Sequence, residues 1–245
     1  MPALALSVLV KYATALLVPM LVWHALAQSP GGIGARLRAV LPGAALAGAV
    51  TAAAYAPFWA GAATFATALG EADGKMITST PFLLRALLEG VQDPVAAGAT
   101  ARWAARGAFL PLYLALLWQA RRDFPTLVAC AFTALFLYLV IAAPWFRPWY
   151  MLWPLALAAL LPRTWFTAML LALSFAASWP DLVEHYRIQW DWVAAGYWRL
   201  LAAPVAACFA LPLLVWAAGL WRHETWTFNA GRRFARPAGT RKSAP

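Results

Sequence analysis

Arg147 stands alone in a proline- and tryptophan-rich junction, Pro144-Trp145-Phe146-Arg147-Pro148-Trp149-Tyr150-Met151-Leu152-Trp153-Pro154. No Asp, Glu, Lys or Arg occurs in residues 124–146 or 148–162 on either side of it. A guanidinium presents a planar fork of N–H donors that matches two oxygens of a phosphate. Flanking prolines fix the backbone that carries it, and the indoles of Trp145 and Trp149 can shield it. The alternative task for Arg147 is to anchor a helix end at a water–lipid boundary, where indole rings also concentrate. Tyr150 divides in the same way, between a hydroxyl that bonds a sugar or phosphate and a ring packed in an aromatic belt.

Two further groups carry chemistry-bearing residues. Lys11 interrupts the first apolar run about 10 Å deep at the helical rise. It is either a counter-ion for a lipid-linked phosphate or an ammonium that snorkels to the interface. Asp181, Glu184 and His185 fall at i, i+3 and i+4, which is one face if the segment is helical. A carboxylate beside an imidazole can act as a general base, and the same spacing also occurs on ordinary solvated helices. Glu71 and Asp73 form a closer carboxylate pair, read as a solvated turn. No HExxH or DxD run, phosphate-binding glycine loop or nucleophile elbow is present, so no metal site is expected, and a divalent cation is left open.

The elements that position these residues follow from composition. Of 245 residues, 64% are hydrophobic and 11% charged, with a mean hydropathy of +0.67. Soluble domains are about one-quarter charged, so water is the wrong solvent for this chain. The fold class expected is an all-α polytopic integral membrane protein. Seven candidate transmembrane helices fall at about 4–27, 39–60, 102–119, 125–146, 148–162, 164–179 and 199–221, spanning a helical domain over residues 1–221. Two extracytoplasmic loops lie at about 61–101 and 180–198. Within the first, Pro81 followed by apolar residues predicts a short helix lying on the membrane surface. Residues 222–245 are a basic tail, expected to be disordered and to contact anionic lipid.

Net charge is +10, yet the cations cluster in short loops and in the tail, and the 15 tryptophans sit near span ends. That distribution excludes nucleic acid as a partner and favours membrane lipids. Arg36, Arg38, Arg121, Arg122, Arg163, Arg222, Arg232, Arg233, Arg236, Arg241 and Lys242 fall on one side of the seven-span scheme. Lys75, Arg85, Arg102, Arg106, Arg147, Arg187 and Arg199 fall on the other. The richer side is assigned to the cytoplasm, which puts the C-terminus inside. Cys130 and Cys208 lie in separate apolar runs, as small packing residues do. Ala25-Leu26-Ala27 looks like a cleavage site, but the first segment lacks a basic leader and is read as a retained span. An N-terminus outside at Met1 is easiest to explain if further helices precede it.

The stretch Arg147-Pro148-Trp149-Tyr150-Met151-Leu152-Trp153-Pro154 resembles the late part of bacterial GT-C membrane glycosyltransferases, especially those that use polyprenyl-phosphate-mannose. Lys11-Tyr12 followed by Leu16-Leu17-Val18-Pro19 is similar to their lysine-bearing helix, and Tyr55-Ala56-Pro57-Phe58-Trp59 to the end of their next span. Together these cover residues 8 to about 160. The resemblance implies inverting transfer of a hexose, mannose in the first instance, from a polyprenyl-phosphate-sugar lipid to an acceptor on the outer face of the bacterial inner membrane. It places Lys11, Arg147, Trp149 and Tyr150 around the donor phosphate. It also implies a catalytic acidic residue in a first large external loop, which would lie upstream of Met1, so this chain is expected to be a C-terminal part or to need a partner. The alternative is a transporter or flippase component, or a partner subunit without catalysis.

Overall fold

The computed structural model describes residues 2–10, 12–61, 63–64, 76–161, 165–190 and 197–221, and side chains over these stretches except at 10, 165–166, 184–190, 197–200, 216–217 and 219–221. Lys11, Glu71, Asp73, Arg163 and the basic tail lie outside the described residues. What is described is all-helical, apart from one isolated parallel bridge between Ile77 and Trp145.

The chain begins with α1 (Pro2–Val10), a 3-10 turn (Tyr12–Leu16) and α2 (Leu17–Gln28). Pro19 accounts for the tight turn. It has no N–H for the Ala15 carbonyl, and its ring crowds that carbonyl. Next come α3 (Ile33–Tyr55), α4 (Thr80–Leu88), α5 (Pro94–Gln119) and α6 (Phe124–Leu137), which runs into a π turn (Tyr138–Ala142). A 3-10 turn (Pro148–Met151), α7 (Leu152–Ala158), α8 (Trp165–Trp190) and α9 (Tyr197–Trp221) follow. Helices α4, α5 and α6 share one start signal, a polar cap with proline in the first turn. Ser79 accepts from the Phe82 N–H, Asp93 from Val95 and Ala96, and Asp123 from Thr126.

Among the described residues, two helices are long and apolar enough to cross a membrane, Ile33–Phe58 and Phe124–Ala142. They are used differently. The first packs mainly on α1, α2 and its own end, and none of its apolar window is buried. The second is 67% buried and is the axis of the packing. One flank of α6 carries Leu127, Cys130, Ala131 and Ala134 against Met20 of α2 and Phe109, Tyr113 and Leu116 of α5. The other carries Phe132 and Phe136, continued by Leu139 and Val140 of the π turn, into a cluster with Phe146, Leu170, Leu173, Leu201 and Val205. Both cysteines are buried and free.

Several boundaries differ from the sequence expectation. Helix α5 starts at Pro94, because the Asp93-Pro94 cap prevails over Arg102 as a start signal. Helix α8 runs through Pro180 to Trp190, so most of the expected loop 180–198 is helix; the cost of the proline is one hydrogen bond, to Ala176. The 3-10 turn and α7 together reach about 18 Å, short of the roughly 30 Å hydrocarbon core. Helix α4 forms where Pro81 predicts it, but Pro81 and Phe82 are buried, and it packs on α5, α9 and the π turn.

Candidate functional site

The site is built on the failure of α6 to continue. Pro144 and Pro148 are four residues apart, so the Val140 and Pro144 carbonyls each lack the N–H that an α-helix would supply. Next to Pro144 the helix widens. The Ala143 N–H reaches the Tyr138 carbonyl at 2.8 Å, a five-residue span, before the backbone turns extended. Buried carbonyls without donors are costly, and here a second segment supplies them.

That segment is Met76–Thr80. The Ile77 N–H donates to the Pro144 carbonyl at 3.2 Å, and the Phe146 N–H donates back to Ile77 at 3.3 Å. Three successive hydroxyls complete the strap. Thr78 Oγ1 donates to the Phe146 carbonyl, Ser79 Oγ to Pro144 at 2.8 Å, and Thr80 Oγ1 to Val140. Ser79 also caps α4, accepting from the Phe82 N–H at 3.2 Å. Thr78 takes a φ of 52°, a left-handed conformation rare for a β-branched side chain. Backbone strain of that kind persists only where the surroundings over-determine it. Nothing in the sequence reading singled out these hydroxyls.

Held by this strap, Arg147 caps the start of the 3-10 turn in extended backbone. Its Nη1 donates to Asp181 Oδ1 of α8 at 2.6 Å, and the two side chains are 18% and 34% exposed. The guanidinium carbon lies 5.2 Å from the Trp145 ring and 5.9 Å from the Trp149 ring, within cation–π range of both. Trp149 is exposed, whereas Tyr150 is buried and stacks on Trp153 at 4.4 Å and 20°.

The structure thus joins Arg147, Trp149, Tyr150 and Asp181, which the sequence reading had placed in two separate groups. Asp181 is engaged as the partner of Arg147, which suits orienting the guanidinium better than taking a proton. Glu184 and His185 follow Asp181 within α8; their side chains lie outside the described residues, as does Lys11. Among the described residues, no group of three His, Cys, Asp or Glu could hold a metal ion. A half-buried cation with a carboxylate behind it and aromatic walls beside it is chemically suited to a phosphate or another oxyanion. No family model, curated protein or solved structure matches the chain.

Proposed function

We propose that this chain is the membrane domain, with about seven crossings, of a GT-C type glycosyltransferase, or a C-terminal part of one. It would transfer a hexose, mannose in the first instance, from a polyprenyl-phosphate-linked donor to an extracytoplasmic acceptor. The observation that carries this reading is the Arg147–Asp181 pair, set between Trp145 and Trp149 where the central apolar helix breaks. In this scheme Arg147 contacts the donor phosphate and Asp181 positions it. The acceptor oxygen bonds to the anomeric carbon as the bond from that carbon to the phosphate oxygen breaks. The acceptor proton passes to a base, for which Glu184 and His185 are the candidates, and the departing phosphate keeps its electron pair beside the cation. Lys11 would be a second contact to the phosphate, and the site lies on the outer face of the bacterial inner membrane with the C-terminus inside.

The test is transfer from a polyprenyl-phosphate-linked hexose by membranes that hold Arg147→Ala or Arg147→Lys at wild-type levels. Loss of one oriented contact to developing charge costs about 100-fold or more, so Arg147→Ala should fall by that factor, with partial recovery in the lysine variant. Unchanged turnover would remove Arg147 from the mechanism.

A second reading, a transporter or flippase component or partner subunit, also has an observation behind it. Interrupted helices mark many transporter sites, and this chain breaks helices at Tyr12–Leu16 and at Tyr138–Met151. Lipid movement across sealed vesicles without glycosidic product would favour it.

A further inference from the structure

The end of α6 opposite Arg147 carries a second cluster of cations, which the proposed transfer does not use. The 19-residue stretch Phe124–Ala142 is about 28 Å long, close to the thickness of the hydrocarbon, so the two ends address opposite surfaces. At this end α2 and α5 finish side by side. Gln28 Nε2 donates to the Arg121 and Arg122 carbonyls, each at 2.9 Å, and His24 Nδ1 lies 2.8 Å from the Ala120 carbonyl. The carbonyls of the turn that follows α5 are therefore satisfied by α2 side chains, so this turn is fixed with its two arginine side chains left over.

These arginines are not neutralised. The adjacent Asp123 turns inward, its Oδ1 accepting from the Thr126 N–H at 2.7 Å to start α6. Among the described residues, no carboxylate pairs with Arg121 or Arg122, and both are exposed. Arg121 lies over Trp118, with 3.6 Å from guanidinium carbon to ring centroid, and Trp118 in turn lies 6.4 Å from Trp23. Both indoles are exposed, as is Phe124 just beyond the turn. Two uncompensated guanidinium groups thus sit at the rim of an apolar surface, one of them fixed by stacking.

From this we infer that Arg121 and Arg122, with Trp23 and Trp118, form a binding site for the headgroup of an anionic phospholipid. Charge complementarity supplies the phosphate contacts. The apolar rim favours a lipid over a dissolved anion, because the indoles lie where the glycerol and upper chains would run. Arg36 and Arg38, exposed in the first turns of α3 beyond the linked turn, add to the positive potential on this side.

The test uses the full chain in nanodiscs of phosphatidylcholine with a minor fraction of phosphatidylglycerol, and native mass spectrometry counts the lipids it retains. Wild type should retain phosphatidylglycerol preferentially. Each arginine near such a headgroup contributes about fivefold, so R121A/R122A should lose roughly 25-fold of the preference. R121K/R122K keeps the charge and should keep most of it. Inorganic phosphate added at the same concentration as the anionic lipid should not displace it. No preference in wild type, unchanged preference in the alanine variant, loss in the lysine variant, or displacement by phosphate would each overturn the inference.

Discussion

Thr80→Val isolates the chemistry of the strap, because it removes the hydroxyl and keeps the shape. The hydroxyl donates to the carbonyl of Val140, a residue 5% exposed, whose helical partner would have been the N–H that Pro144 lacks. An unsatisfied buried carbonyl costs about 1–3 kcal/mol, so Thr80→Val should destabilise the chain by about 2 kcal/mol. The same logic predicts that the cost depends on residue 144. Pro144→Ala restores an N–H four residues beyond Val140, and the carbonyl can then be satisfied within the helix. In that background Thr80→Val should cost under about 1 kcal/mol, a coupling of about 1–2 kcal/mol between the two sites. The assay is detergent-induced unfolding of the purified chain and the three variants in mixed micelles, followed by circular dichroism. Equal costs of Thr80→Val in both backgrounds, within about 0.5 kcal/mol, would refute the claim that the threonine replaces the missing donor.

Two further outcomes concern the contacts that α8 makes. Arg147→Met and Asp181→Leu should each cost about 2–3 kcal/mol in the same unfolding assay, and the double variant should cost about 2 kcal/mol less than their sum, because each single change strands a half-buried charge; additive costs would show the pair to be incidental. Leu173→Ala, which empties a fully buried position in the cluster joining α6 to α8 and α9, should cost about 2–5 kcal/mol and leave the α2–α5 end intact; a loss under about 1 kcal/mol would show that α8 and α9 contribute little to the packing.

What was legible in the sequence was mainly what prolines and charges encode locally. The turn before Phe124, the break at Pro144–Pro148 and the helix start at Pro81 all appear where the sequence places them. Helix continuity was harder to read. Pro180 with its neighbouring charges reads as a helix end, yet one lost hydrogen bond does not stop a helix that packs along α9, and α8 continues to Trp190. Arg102 similarly reads as a boundary, although the cap signal lies earlier at Asp93. The pairing of Arg147 with Asp181 spans 34 residues, and no local pattern announces a contact of that range. The strap had a signal that went unread. Prolines four residues apart in an apolar helix leave two carbonyls without donors, and Thr78-Ser79-Thr80 is a run of three hydroxyl donors with no other evident task in the sequence.

The same contacts tie the two ends of the molecule into separate units. Gln28 links the turn after α2 to the turn after α5, so residues 28–33 and 119–124 share one side. The Ile77–Trp145 bridge and the Arg147–Asp181 pair gather the segment before α4, the break after α6 and the C-terminal part of α8 at the other end of α6. Two candidate external loops and the aromatic junction therefore keep company with one another whichever way the chain is inserted. Reversing the orientation would move all three together. Arg121 and Arg122, exposed and without carboxylate partners among the described residues, lie at one end of α6, and Arg147, paired and sheltered, lies at the other. Exposed cations near the ends of short loops are the ones that respond to the inside-positive bias, and a neutralised one adds little to it. Under the orientation we propose, the Arg121–Arg122 end faces the cytoplasm and the Arg147 site faces out.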